Sequence, residues 1–135
     1  MAEHLTISNF PGSIVCWQDQ IASWPVDTPY TFINTVVVPT AEDVDAFLKA
    51  WADVAGIMKG QSGFLSAQLY RGCPDKNGRN NILVLVAVWE SVAAYQAAGQ
   101  RPELQEAIVK FPKGTVEHFL MATKVAVPGL CTASE

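Results

Sequence analysis

The sequence predicts an α+β fold built in the order β-α-β-β-α-β. Three observations carry that expectation. Residues 82–88 are apolar without a break, and Ile82, Val84, Val86 and Val88 among them are β-branched, which suits a strand with both faces covered. Residues 30–38, Tyr-Thr-Phe-Ile-Asn-Thr-Val-Val-Val, form a second β-favouring run. Between the two, Val44, Phe47, Leu48, Trp51, Ala55 and Met58 recur at helical spacing and make one apolar stripe.

The 135 residues are enough for one domain with a real core. Residues 1–28 carry Pro11-Gly12 and Pro25, which break regular structure, and form an N-terminal arm or lid ahead of a domain spanning 29–135. Within the arm, residues 14–17 suit a short strand, and Trp17 and Trp24 suit packing on the main domain. Pro39 closes the strand over 30–38, and Thr40 then caps a helix over 41–58. Glu42 and Asp43 fall in its first turn, where the helix dipole favours negative charge. Gly60 ends that helix.

A second strand follows over 63–71, and the polar residues 73–80, rich in Pro, Asn and Gly, turn the chain into the third strand over 81–89. Ser91 caps a short helix over 91–98. Gly99 interrupts it, and Pro102 suits the first turn of another helix over 102–111. Residues 116–127 read as a long fourth strand with a small polar tail.

That order is the ferredoxin-like split βαβ arrangement, with both helical layers on one face of an antiparallel sheet. The opposite face would carry Ile33, Val37, Leu65, Leu69, Val84, Val86 and Val88. A broad apolar face calls for a partner, and two such sheets meeting around a two-fold axis give a homodimer. Half the residues are hydrophobic and only 16% are charged, which fits apolar surface covered by a second copy.

The net charge is −4 and no run of Lys or Arg exists, so nucleic acid is not an expected partner. No apolar run approaches the ~20 residues needed to span a bilayer. Met1-Ala-Glu-His4 lacks the basic and greasy regions of a secretory signal. Three widely spaced cysteines, Cys16, Cys73 and Cys131, argue against a disulfide framework or zinc site and for a cytoplasmic setting.

Candidate site residues follow from strand parity. Phe32 and Asn34 share one face of the first strand, and Leu85 and Trp89 share one face of the third. The same reading places Tyr70 beside them, and Tyr95 falls one turn into the next helix. With Trp51 from the apolar stripe, these make a greasy crevice with an amide, an indole N–H and one or two phenols, the make-up of a small-molecule pocket. The plainer reading is a wet-edged core in which Asn34 satisfies its own backbone. No strong acid–base residue is expected in the pocket. Glu42, Asp43 and Asp45 read as a solvated helix start rather than a metal site, and no phosphate loop or catalytic triad is apparent.

Thr31-Phe-Ile-Asn34, the helix after it, Ser62-Gly-Phe64 and Val88-Trp89-Glu-Ser91 together resemble the antibiotic biosynthesis monooxygenase family, over about Tyr30 to Phe111. The resemblance implies a dimeric α+β barrel. It is most similar to the cofactor-independent anthrone oxygenases, which use an Asn on the first strand and a Trp ending the third, matching Asn34 and Trp89. Some also place a Tyr where Tyr95 stands. An Arg that some members use on the last helix has no clean match, Lys110 being only near it. The implied chemistry needs O2 and an aromatic polyphenolic substrate, and neither metal nor other cofactor.

Haem-degrading members of the same fold add a His on the helix after the Trp. Residues 91–113 hold no His, and His4 and His118 read as structural, so haem is disfavoured. The alternatives kept are a small-molecule binding protein of this fold, or a polyketide cyclase without oxygenase activity.

Overall fold

The computed structural model describes residues 5–133; His4 lies outside them. Its elements are β1 (Leu5–Ser8), α1 (Trp17–Ser23), β2 (Tyr30–Val37), α2 (Val44–Lys59), β3 (Phe64–Arg71), β4 (Ile82–Trp89), α3 (Val92–Gly99), α4 (Pro102–Ile108) and β5 (Thr115–Ala122). From β2 onward the order is the expected one. β2 lies at the centre, antiparallel to β4 on one side and β5 on the other, and β3 extends the sheet antiparallel to β4.

The sheet has a fifth strand that the sequence does not announce. β1 runs parallel to β5 at the opposite edge, pairing Leu5 with Thr115 and Ser8 with His118, so the strand order is β1-β5-β2-β4-β3. Four residues carry too little pattern to be read alone; this strand exists through its neighbour. Residues 14–17 make no strand either. Trp17 instead opens α1, and the Gln20 side chain takes up the Met121 backbone N–H at 2.8 Å. Met121 lies just beyond the stretch of β5 that β1 covers, so the helix completes the edge that the strand leaves open.

The fourth predicted strand is shorter than its apolar run. It ends at Ala122, and Val127 instead pairs with Cys131 across a turn at Pro128-Gly129. The start of α2 is a 3-10 turn over Ala41–Asp43 in which Thr40 and Asp43 form a capping box, the carboxylate accepting the Thr40 N–H at 3.1 Å. Ser91 caps α3 as expected, accepting the Ala94 N–H at 3.1 Å.

One irregularity changes which residues face where. Phe64 pairs with Trp89 but Ser66 pairs with Val88, so Leu65 is an extra residue in β3. A bulge of this kind reverses the parity of every residue after it. Leu69 therefore pairs with Leu85 on the helix-facing side, not on the outer face, and packs into the core. Tyr70 pairs with Val84 and points outward, 55% exposed.

The core fills the space between sheet and helices in two parts. At one end Val36, Val38, Phe47, Leu83 and Phe111 pack together, with Phe47 and Phe111 stacked at 4.8 Å. At the other end lie Tyr30, Phe32, Trp89, Phe119 and Met121, against which Trp17 and Trp24 of the N-terminal segment pack. No helix among the described residues is long and apolar enough to cross a membrane.

Candidate active site

A cavity of about 270 Å³ lies under the helices, between the two parts of the core. The sheet supplies its floor through Phe32, Asn34, Leu85, Trp89, Glu117 and Phe119. Trp51 and Met58 of α2, Tyr95 of α3 and Leu104 of α4 close it from above, and β1 brings Leu5 and Ile7 to its edge.

Six of the seven residues singled out in the sequence therefore meet here: Phe32, Asn34, Trp51, Leu85, Trp89 and Tyr95. Tyr70 does not. Its reversed parity removes it from the cavity altogether.

Each side chain is placed by regular structure. Asn34 sits in mid-β2, opposite Leu85 on one side and Phe119 on the other. Trp89 ends β4, and its ring is held edge-on by Phe64 at 5.5 Å and Tyr95 at 5.6 Å. Tyr95 follows the Ser91 cap by one turn, and its ring also meets Phe32 at 5.4 Å. Trp17 closes this aromatic end, 5.1 Å from Phe119 and 5.7 Å from Phe32. Because Trp89 pairs with Tyr30 rather than Asn34, the backbones that carry the amide and the indole are offset by ~14 Å along the strands, four residues at 3.4 Å each. They line one chamber from different ends.

Sequence reasoning missed the residue beside Asn34. Glu117 of β5 pairs with Val36, which makes it the diagonal neighbour of Asn34 on the cavity face. It is buried, 5% exposed. The neighbouring Asn34 amide favours its charged form, and this opposes but does not cancel the effect of burial, which pushes the Glu117 carboxyl up to about 7. The expectation of a pocket without an acid–base group is thus overturned. The available signal was the period-2 phase of Glu117 with Phe119 and Met121, but Val116, His118 and Leu120 offer an equally apolar alternative face, so parity alone does not choose.

Asn34 lines the cavity, but its Oδ1 is itself fully buried and without a hydrogen-bond partner. An orphan acceptor of this kind is costly, and a small turn of the amide toward the cavity would relieve it. The Tyr95 hydroxyl is held above the usual phenol range by burial and, secondarily, by the Glu117 carboxylate, so it stays protonated and able to donate. His118 points away from the cavity, its Nδ1 3.2 Å from the Asn9 carbonyl and its ring against Phe10. No described residue lining the cavity is His, Lys or Arg, so its donor set does not suit a haem iron.

Residues 29–110 match the model of a family described as antibiotic biosynthesis monooxygenase. The chain belongs to that family. The same fold appears in SnoaB, a cofactor-independent oxygenase from Streptomyces nogalater, with a TM-score of 0.60, 23% identity and coverage of 75% of this chain and 98% of that one. A protein of Shewanella loihica provisionally classed as a monooxygenase gives a TM-score of 0.60 at 25% identity, over 76% of this chain and 100% of that one. A Mycobacterium tuberculosis protein, Rv0793, gives 0.52 at 15% identity, over 76% and 100%. No curated protein matches the chain in sequence. Membership of the family supports a monooxygenase role, and the aromatic cavity is the place in this fold where small-molecule chemistry fits.

Proposed function

We propose that the protein is a cofactor-independent monooxygenase that oxidises an anthrone-like, polyphenolic aromatic molecule with O2 to a quinone. The observation that carries this reading is the cavity, whose largely apolar lining includes Asn34, with its unsatisfied amide oxygen, and three aromatic side chains that bear an N–H or O–H, Trp51, Trp89 and Tyr95. A planar polyphenol fits that combination. Its rings take the aromatic and aliphatic walls, and a small turn of the Asn34 amide lets Oδ1 accept one phenol O–H.

The chemistry asks little else of the protein. An anthrone that has lost a proton is a delocalised carbanion able to reduce O2 by one electron. Desolvation, orientation and hydrogen bonds to the developing negative charge are what a site adds. Asn34 keeps a second N–H for that purpose, and the indole of Trp89 orients the rings at the far end. We read the N-terminal segment, through Trp17, as the closure of the aromatic end.

The working unit in this reading is a cytoplasmic homodimer. The outer sheet face, with Ile33, Val37, Val84, Val86 and Val88, is only partly covered in the single chain, and a second copy would seal it.

The test is direct. Metal-free protein mixed with dithranol should speed O2 uptake above the protein-free rate, and Asn34→Ala should lower turnover about 10²–10³-fold. A folded Asn34→Ala protein with full activity would remove Asn34 from the mechanism. A wild type that binds dithranol without any acceleration would point to a binding protein or cyclase.

A further inference from the structure

Glu117 is the one carboxylate in the cavity wall among the described residues. Carboxylates are rarely buried without a partner cation, because the charged form is costly out of water. Here no cation is supplied. The row of β5 that carries Glu117 is flanked by Ile7 of β1 and Val36 of β2. α2 and α4 bring Trp51 and Leu104 to the cavity, neither of which titrates, and α3 brings Tyr95, which does. Tyr95 and Glu117 are the only titratable groups among the described residues that line it. Among the described residues, Asn34 is the one side chain that stabilises the carboxylate, and its own Oδ1 is buried without a partner.

A buried carboxyl kept in the apolar wall of a cavity beside an unpaired amide oxygen is ill suited to holding the fold together. It is well suited to moving a proton. We propose that Glu117 is the catalytic base of the site, taking the acidic C–H proton of a phenolic anthrone-like substrate that Asn34 anchors by a phenol hydroxyl. The assignment rests on the oxygenase reading for its substrate class and deepens it by naming the group that starts the reaction.

The step balances with O2 as oxidant. The methylene carbon of the substrate gives one proton to the Glu117 carboxylate, and the electron pair left behind delocalises over the rings. One electron passes to O2, and recombination of the two radicals forms a C–O bond and a peroxide anion. Glu117 returns its proton to that peroxide. It then takes the second proton from the same carbon while the O–O bond breaks. The carbon becomes a carbonyl, and the departing hydroxide recovers the proton as water. Substrate and O2 thus give quinone and water, and Glu117 ends as it began. A base that must accept and return protons near neutrality works best with an affinity close to the working pH, and burial sets Glu117 there.

The experiment separates proton removal from oxygen chemistry. Wild-type protein is mixed with dithranol under anaerobic conditions between pH 6 and 8, beside a protein-free control, and the coloured ring-delocalised anion is followed by absorbance. Wild type should form the anion with a rate that rises through about pH 7. Glu117→Gln should form it about 10²–10⁴-fold more slowly and without that rise. Glu117→Asp, which keeps an ionisable group, should recover part of the rate and the pH dependence.

A wild type that forms no anion, a pH profile without an inflection, or a Glu117→Gln protein as fast as wild type would each overturn the assignment. Air is then admitted. An anion that forms but draws no O2 above the control rate would sink the oxygenase reading and leave Glu117 as the base.

Discussion

At the scale of single residues, Glu117 ties the stability of the molecule to pH in an unusual direction. Its carboxyl titrates near 4.5 in an ordinary setting and near 7 here, because burial outweighs the Asn34 hydrogen bond. Between those values the folded state holds a proton that the unfolded chain has released. Stability therefore falls as pH rises through that window, by about 3 kcal/mol in all, and is level on either side. Glu117→Gln imitates the protonated acid and should abolish the slope. Urea unfolding at pH 5 and pH 8 checks both statements, and equal pH dependence in the two proteins would contradict them. Asn34→Ala removes the one interaction that favours the carboxylate, so it should move the wild-type midpoint to higher pH. The two residues differ in how far the sequence reveals them. An Asn in mid-strand breaks local propensity and draws attention to itself. Glu117 breaks the same rule, but between Val116 and His118 it reads equally well as a solvent-facing position until the β2–β5 register puts it beside Asn34.

At the scale of elements, strands and helices that carry their own period were legible, and pieces defined by a neighbour were not. β2, β4 and α2 hold their patterns in sequence. β1 and α1 are short and depend on the edge of β5, and the Leu65 bulge looks like any other strand residue. That single insertion accounts for both misplaced side chains, Leu69 and Tyr70. The junction just before the bulge is also where one glycine decides the geometry. Gly63 has φ +90°, and a Cβ added there would stand 2.4 Å from the Cβ of Ala94 in α3. Its carbonyl accepts the Glu90 N–H at 2.8 Å, fastening β3 to the turn that leads from Trp89 into α3. Gly63→Ala combines a disfavoured backbone with a clash, and should cost about 1–3 kcal/mol. Because α3 carries Tyr95, the variant should also bind dithranol more weakly, which quenching of tryptophan fluorescence would measure. Ser91→Ala touches the same helix through its cap alone and should cost about 1 kcal/mol.

At the scale of the whole molecule, the sheet has helices on one side only. A monomer of 14.6 kDa ordinarily exposes about 6,900 Å², and this chain alone exposes 8317 Å². The C-terminal tail contributes, with Val125 67% and Leu130 83% exposed. The outer face of the sheet contributes too: Ile33, Val84, Val86 and Val88 form an apolar patch there, extended by Ile82 at 40% exposure. Each partner in an ordinary interface gives up roughly 800 Å². Val86 pairs with Ile33 on one side and Gln68 on the other, near the middle of the patch. In a two-fold dimer a Glu at that position meets its own copy or the apolar residues around it, and either outcome opposes association. Sedimentation should give twice the chain mass for wild type and the single mass for Val86→Glu. Since the cavity lies on the other side of the sheet, the variant should still bind dithranol, more weakly only in so far as the sheet loosens. A monomeric wild type at micromolar concentration would show that no second copy covers the outer face.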